Sequence, residues 1–331
     1  MKYQIADYSV RGGRPVNQDR VGYAERDNAL LVVLADGLGG HDNGELASEL
    51  LVQRTIHMFQ SIRKPLIQQP SAFLALSILQ AHAAINAMGR AHDPPIKPRT
   101  TCVLLLVQDG YAYWAHVGDS RLYLFRNGKL HTRTMDHTIT ERMRQEGILT
   151  EEEMLSHPEK SRLLQCVGGP TEPSIRIGPE TALLPGDTLL LCSDGLWEST
   201  PADALQRYIA RDDLEDAVVD MLVTAEAQMG KSADNITAAC MRWQDEPTRK
   251  KPLEEFRGGE VDHKSLWSQA QRKAAIPAPR TAAPESRAKP RPVAAPATPK
   301  TGATTSASEP DTLNREIEEL ESFLDQYLPK R

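Results

Sequence analysis

Aromatic side chains make up only 5% of this 331-residue chain, and it holds four cysteines. Cys102, Cys166, Cys192 and Cys240 lie far apart, three of them in or beside apolar runs. That spacing argues against a disulfide framework or a zinc site and for buried free thiols in a reducing compartment. The nine histidines show no metal-ligand spacing either; His41, His116 and His137 lie near informative motifs but read singly as packed or solvated residues. A surplus of basic charge is also missing: the net charge of -6 gives no footprint for nucleic acid. No apolar run approaches the length of a membrane span, and Met1-Lys2-Tyr3-Gln4 opens no apolar signal core, so a soluble, cytoplasmic chain is expected. Gly-x-Ser-x-Gly and Gly-Lys-Ser/Thr are absent as well, which removes the usual signatures of a serine nucleophile or a P-loop.

What the chain has is one construction used repeatedly. Residues 30–35 form an apolar run that reads as a buried strand and delivers Asp36 into the turn Gly37-Leu38-Gly39-Gly40-His41. Residues 188–192 lead likewise into Ser193-Asp194-Gly195, and 111–117 into Gly118-Asp119-Ser120-Arg121. A fourth acid stands at the other end of its strand, in Asp234-Asn235 ahead of 236–241. Burying such carboxylates together costs several kcal/mol per uncompensated charge, so the pattern calls for cations or shared protons. Oxygen donors suit hard ions such as Mg²⁺ and Mn²⁺. The expectation is a two-metal hydrolytic site.

At 40% hydrophobic and 25% charged, the chain has material for one large domain or two small ones. Residues 3–10 alternate like an opening strand, and 11–20 break into a loop holding Arg14, Gln18 and Asp19. That loop reads either as a solvated turn or, beside Asp36, as the seat of a phosphate-gripping guanidinium at Arg14. Residues 44–60 and 71–88 carry helical periodicity, and Asp109-Gly110 and Asn127-Gly128 mark two hairpins. These hairpins show that Asp-Gly here can be a mere turn signal. Asp36-Gly37 and Asp194-Gly195 differ because helices, not returning strands, follow them. Residues 136–169 are polar and partly helical, a lid over the site or a surface excursion. The composition changes near 245. A mostly disordered linker is expected over 246–310, Pro/Ala-rich and basic from about 274, and then an amphipathic helix over 311–328 that docks on a partner or folds back.

Arg14 with Asn17-Gln18-Asp19, Asp36-Gly37-Leu38-Gly39-Gly40, Gly118-Asp119-Ser120-Arg121, Ser193-Asp194-Gly195 and Asp234-Asn235 together resemble the bacterial type 2C metal-dependent serine/threonine protein phosphatases, the PPM family. The stretch from Gly147-Ile148-Leu149-Thr150 through His157-Pro158 to Val167-Gly168-Gly169 resembles their flap, here 136–169. The resemblance covers roughly residues 1–243, within an expected domain of 1–245. It implies an α+β fold, a four-layer αββα sandwich. It also implies that Asp36 bridges two Mg²⁺ or Mn²⁺ ions, that the Gly37 carbonyl binds one and that Asp194 and Asp234 hold the other. Asp119 with Asp194 would take a third, weaker ion, Asp19 would hold water in the outer shell, and Arg14 would orient the phosphate. Implied partners are phosphorylated proteins and an opposing serine/threonine kinase. Eukaryotic relatives carry a histidine where this chain has Leu38, so no general acid is assigned. The alternative is a catalytically weak regulatory adaptor that binds phosphoproteins and acts through its terminal helix.

Overall fold

The computed structural model describes residues 1–26, 28–39, 43–246 and 258–261, all within the compact unit Met1–Leu266. His41, the Pro/Ala-rich segment and the expected helix over 311–328 lie outside the described residues.

Strand β3, Ala29–Asp36, is apolar at almost every position because both of its faces are covered. Leu30, Val32 and Leu34 enter a core shared with the opposing sheet, alongside Leu105, Trp114, Leu189, Met241 and Trp243. The other face of the strand carries helix α1, Gly44–Ser61. Each leucine withdrawn fully from water contributes about 1.5–3 kcal/mol.

One sheet runs β1 (Tyr3–Val10), β11 (Ile236–Trp243), β10 (Thr188–Cys192), β6 (Arg121–Arg126) and β7 (Lys129–Arg133). The other runs β12 (Gly259–Val261), β8 (Ile175–Ile177), β5 (Tyr111–Val117), β4 (Cys102–Gln108), β3 and β2 (Asp19–Arg26), with β9 (Thr181–Ala182) also on β5. Every pairing is antiparallel. Helices α1 and α2 (Pro70–Ala91) cover the second sheet, α3 (Ile139–Gln145) and α4 (Glu151–Ser156) lie in the 136–169 segment, and α5 (Asp194–Trp197), α6 (Ala202–Ile209) and α7 (Leu214–Met229) cover the first. The expected αββα sandwich is the fold. Cys102, Cys192 and Cys240 are buried, Cys166 is half-buried, and all four are free thiols.

Three features depart from the sequence reading. Helix α2 is 22 residues long with a mean hydropathy of 1.4 in its most apolar window, enough by length and composition to cross a membrane, contrary to the expectation that no run approaches that length. Its apolar content has a different cause here: Phe73, Leu74, Ile78 and Ile85 are buried where the helix packs on α1 and the sheet. Asp19 opens strand β2 rather than sitting in the preceding loop. Strand β12 extends the sheet past residue 245, where the linker was expected to begin.

The two hairpins have Asp109 and Gly110 at φ 51° and 76°, and Asn127 and Gly128 at φ 51° and 68°. Positive φ at both central residues suits the twist of a two-residue hairpin. Asp36-Gly37 and Asp194-Gly195 have no such geometry; close packing explains their glycines.

Candidate active site

The antiparallel register brings the acidic motifs to one end of the sandwich. β3 and β5 both pair with β4 and so run the same way, which places Asp36 and Gly118-Asp119 at neighbouring strand ends. β10 opposes β11, with Cys192 beside Ala238, so the end that leads to Asp194 lies at the start of the strand preceded by Asp234. These four aspartates line one cavity of about 460 Å³ with Arg14, Gln18, Gly37 and Leu38. Ser161 and Leu163 of the 136–169 segment complete its wall, so that segment borders the site.

Each acid is held from behind. The Asp36 carbonyl accepts from Thr101 N and Thr100 Oγ1, both at 2.8 Å, and Asp36 N donates to Thr101 Oγ1 at 3.1 Å. A Cβ on Gly37 would stand 2.5 Å from the Gly44 backbone and 2.7 Å from the Gln18 carbonyl, so glycine there lets the start of α1 approach the turn. A Cβ on Gly195 would stand 2.2 Å from the Asn235 carbonyl; that contact sets Asp194 beside Asp234. Asp119 is fixed through Trp197, whose Nε1 donates to its carbonyl at 2.9 Å. Arg121 stacks on the same indole at 3.6 Å and forms a buried pair with Asp136 at 2.7 Å.

The loop bearing Arg14 is tied down by Asn235. Its Nδ2 donates to the Arg11 and Val16 carbonyls at 2.8 and 3.0 Å, and its Oδ1 accepts from Gln18 N at 2.8 Å. Arg14 Nη2 lies 2.6 Å from Asp234 Oδ2, with more than half of the arginine side chain exposed. Asp19 is opposite Asp36 in the β2–β3 register and accepts from Ser193 Oγ at 2.7 Å. Lys160 of the 136–169 segment reaches Glu198, just past α5, at 2.6 Å.

The electrostatics are those of crowded acids. Burial, then the charges of Asp19, Asp194, Asp119 and Asp234, hold Asp36 well above the usual carboxylate range. Asp194 is raised for the same reasons, with Asp119 its strongest acidic neighbour. Burial pushes Asp119 up to about 7, helped by Asp136, and Asp19 up to about 6 against the opposing hydrogen bond from Ser193. Asp19 Oδ1 is buried with no hydrogen-bond partner. Such a site gains from added positive charge, and its donors are oxygens, as hard divalent cations prefer. Among the described residues no group of three or more His, Cys, Asp or Glu side chains makes a ready-formed metal shell. The acids stand around a cavity rather than a point, which suits ions that keep several of their waters.

The sequence reading named Arg14, Asp19, Asp36, Gly37, Asp119, Asp194 and Asp234. Six of these line the cavity, and Asp19 stands behind it. It quoted Ser193 and Asn235 within its motifs without giving them a role, and it missed Thr100, Thr101 and the Lys160–Glu198 pair. The role of Asn235 could have been found, since an asparagine beside a motif acid is a frequent loop anchor. The others act through contacts between residues far apart in sequence and leave no local signal.

A cluster of crowded, partly buried acids with one guanidinium at its rim, set at the end of a four-layer sandwich, suits a hydrolase-type site for anionic esters. The model of the family described as protein phosphatase 2C matches residues 8–241. Protein phosphatase PhpP of Streptococcus pneumoniae is 31% identical over 235 residues, 70% of this chain and 94% of that protein. The serine/threonine phosphatase of S. agalactiae superposes with a TM-score of 0.67 at 29% identity, covering 73% of this chain and 100% of that one. The catalytic domain of the serine/threonine phosphatase PstP, solved with two manganese ions, gives a TM-score of 0.62 at 29% identity over 73% of this chain and 99% of that one. The chain belongs to the protein phosphatase 2C family, a metal-dependent family.

Proposed function

We propose that this protein hydrolyses phosphoserine and phosphothreonine esters in cytoplasmic proteins and so opposes a serine/threonine kinase. The observation that carries this reading is the convergence of Asp36, Asp119, Asp194 and Asp234 on one cavity with Arg14 at its edge. Asp36, the Gly37 carbonyl, Asp194 and Asp234 would hold two Mg²⁺ or Mn²⁺ ions, and Asp119 with Asp194 a third. Such ions, when bound, offset phosphate charge and lower the pKa of water.

The chain's own groups do the positioning. Arg14 is parked on Asp234. Its planar guanidinium, more than half exposed at the cavity rim, would grip phosphate oxygens in a bidentate way. Asp19 keeps one oxygen on Ser193 and, from behind the cavity opposite Asp36, would hold water in the outer shell of the site. Leu38 on the cavity wall supplies no proton, so protonation of the leaving alcohol is not assigned to the position that follows Asp-Gly.

The test is hydrolysis of a phosphothreonine peptide with Mn²⁺ or Mg²⁺, beside calorimetric binding of each ion. Asp36→Asn and Asp194→Asn are expected to lower kcat by about a thousandfold or more and to weaken ion binding. Undiminished turnover in either variant, or in excess chelator, would overturn the reading.

A further inference from the structure

The sheet that carries Asp36 is closed at one edge by residues beyond 241, where the family match ends. Strand β12 places Gly259 opposite Ile177, Glu260 opposite Arg176 and Val261 opposite Ile175. On its other side β8 is in register with β5 at two positions, Ala115 with Ile177 and His116 with Arg176. β8 is the first strand after the flap, and a three-residue strand paired at two positions is marginal alone. The tail strand thus adds three register pairs to two.

Side chains fit the contact as well. Glu260 accepts a hydrogen bond from Ser174 Oγ, and its other carboxylate oxygen stands 3.6 Å from Arg176 Nη2. Arg176 Nη1 is buried with no hydrogen-bond partner, so Glu260 is the counter-charge that steadies this guanidinium. Gly258 has φ +85°, and a Cβ there would stand 3.0 Å from Pro179 N and Cδ. Glycine is what lets the chain pass so near.

The strand also has a route to the cavity. His116 of β5 stacks on His137 of the flap at 5.1 Å between ring centres, and His137 N donates to the Gly118 carbonyl at 2.9 Å. Leu164 N in turn donates to the His137 carbonyl at 2.7 Å, one residue from the cavity-lining Leu163.

We propose that residues 258–261 are a docking strand through which the C-terminal extension of this chain acts on the flap. Seated on β8, the strand holds the flap's return segment and with it the wall formed by Ser161 and Leu163. Released, it leaves that wall loose. The kinetic consequence rests on the phosphatase reading; the docking itself does not.

Two substitutions in the full-length protein test this, both at the sheet margin and away from the cavity. Gly258→Val sets a β-branched residue at positive φ against Pro179, and Glu260→Lys sets like charge beside Arg176. Amide hydrogen exchange over 161–177 is expected to become about tenfold faster in both. KM for a phosphothreonine peptide is expected to rise about threefold or more, while kcat on p-nitrophenyl phosphate stays within about twofold. The charge swap Glu260→Arg with Arg176→Glu should restore the protection. Unchanged exchange in both variants overturns the docking, and faster exchange with an unchanged phosphopeptide KM overturns its action on the flap. If the parent protein shows no turnover, the phosphatase reading fails, and exchange over 161–169 still decides whether the strand acts on the flap.

Discussion

Asp19 and Asp119 show what the cavity requires of single residues. A carboxyl whose pKa is higher folded than unfolded holds its proton more tightly in the folded protein. It therefore favours folding at low pH, and that contribution is lost as pH rises from the unfolded value, about 3.9, through the folded one. With folded values of about 6 and about 7, the chelated protein should lose stability across about pH 4 to pH 7 and melt lower at about pH 8 than at about pH 6. Excess Mn²⁺ should flatten the slope, because a bound cation replaces the protons. Thermal unfolding with and without chelator checks both, and a flat chelated profile would contradict the burial argument. Asn235 gives a prediction of another kind. Asn235→Ala removes three hydrogen bonds to the Arg14 loop and should cost about 1–3 kcal/mol by denaturant unfolding. It should also lower kcat/KM for phosphopeptide about tenfold, since Arg14 loses its bearing while the four cavity acids stay in place.

Among the elements, the Xaa-Gly turns separate into two kinds that look alike in sequence. In Gly195→Ala the new methyl meets the Asn235 carbonyl at 2.2 Å, and backbone cannot move aside as a side-chain end would. The variant should be destabilised by about 1–3 kcal/mol and lose most turnover, because α5 must shift and Asp194 shifts with it. Gly128, at φ 68° with open space around it, answers to its backbone angle alone. Gly128→Ala should cost about 1 kcal/mol and leave turnover intact. Melting curves and phosphopeptide assays on the pair distinguish a glycine that serves the site from one that serves a hairpin. Long elements were legible: β3 as an unbroken apolar run, and α1 and α2 because their helical spacing extends over several turns. Strands β8, β9 and β12, of two or three residues each, were not, since so short a segment carries no period and exists through its partners.

On the scale of the whole molecule, one compact unit contains every described element. A chain ended after residue 266 should keep its melting temperature and its turnover of p-nitrophenyl phosphate within about twofold, because the sandwich and the cavity lie within Met1–Leu266. Loss of the cooperative melt would show that the sandwich depends on later residues. Helix α2 carries the lesson of context: its composition alone would suit a lipid bilayer, and its packing on α1 and the sheet puts that apolar surface in a protein core. Hydropathy reports how much a segment gains by leaving water. It does not report what replaces the water.

The sequence by itself determined which residues carry charge into turns, which segments alternate with strand or helix period, and hence that several carboxylates end buried strands. It could not determine that those strand ends meet, because convergence depends on the register between strands separated by up to two hundred residues. Tertiary structure decided that, and with it the roles of Asn235 as loop anchor, Glu198 as the ion-pair partner of Lys160 and Glu260 as a contact from the chain's C-terminal side. The physical reason is common to all three. A local pattern records the solvent each residue will face, whereas a contact between distant residues is selected by the summed packing of the whole fold.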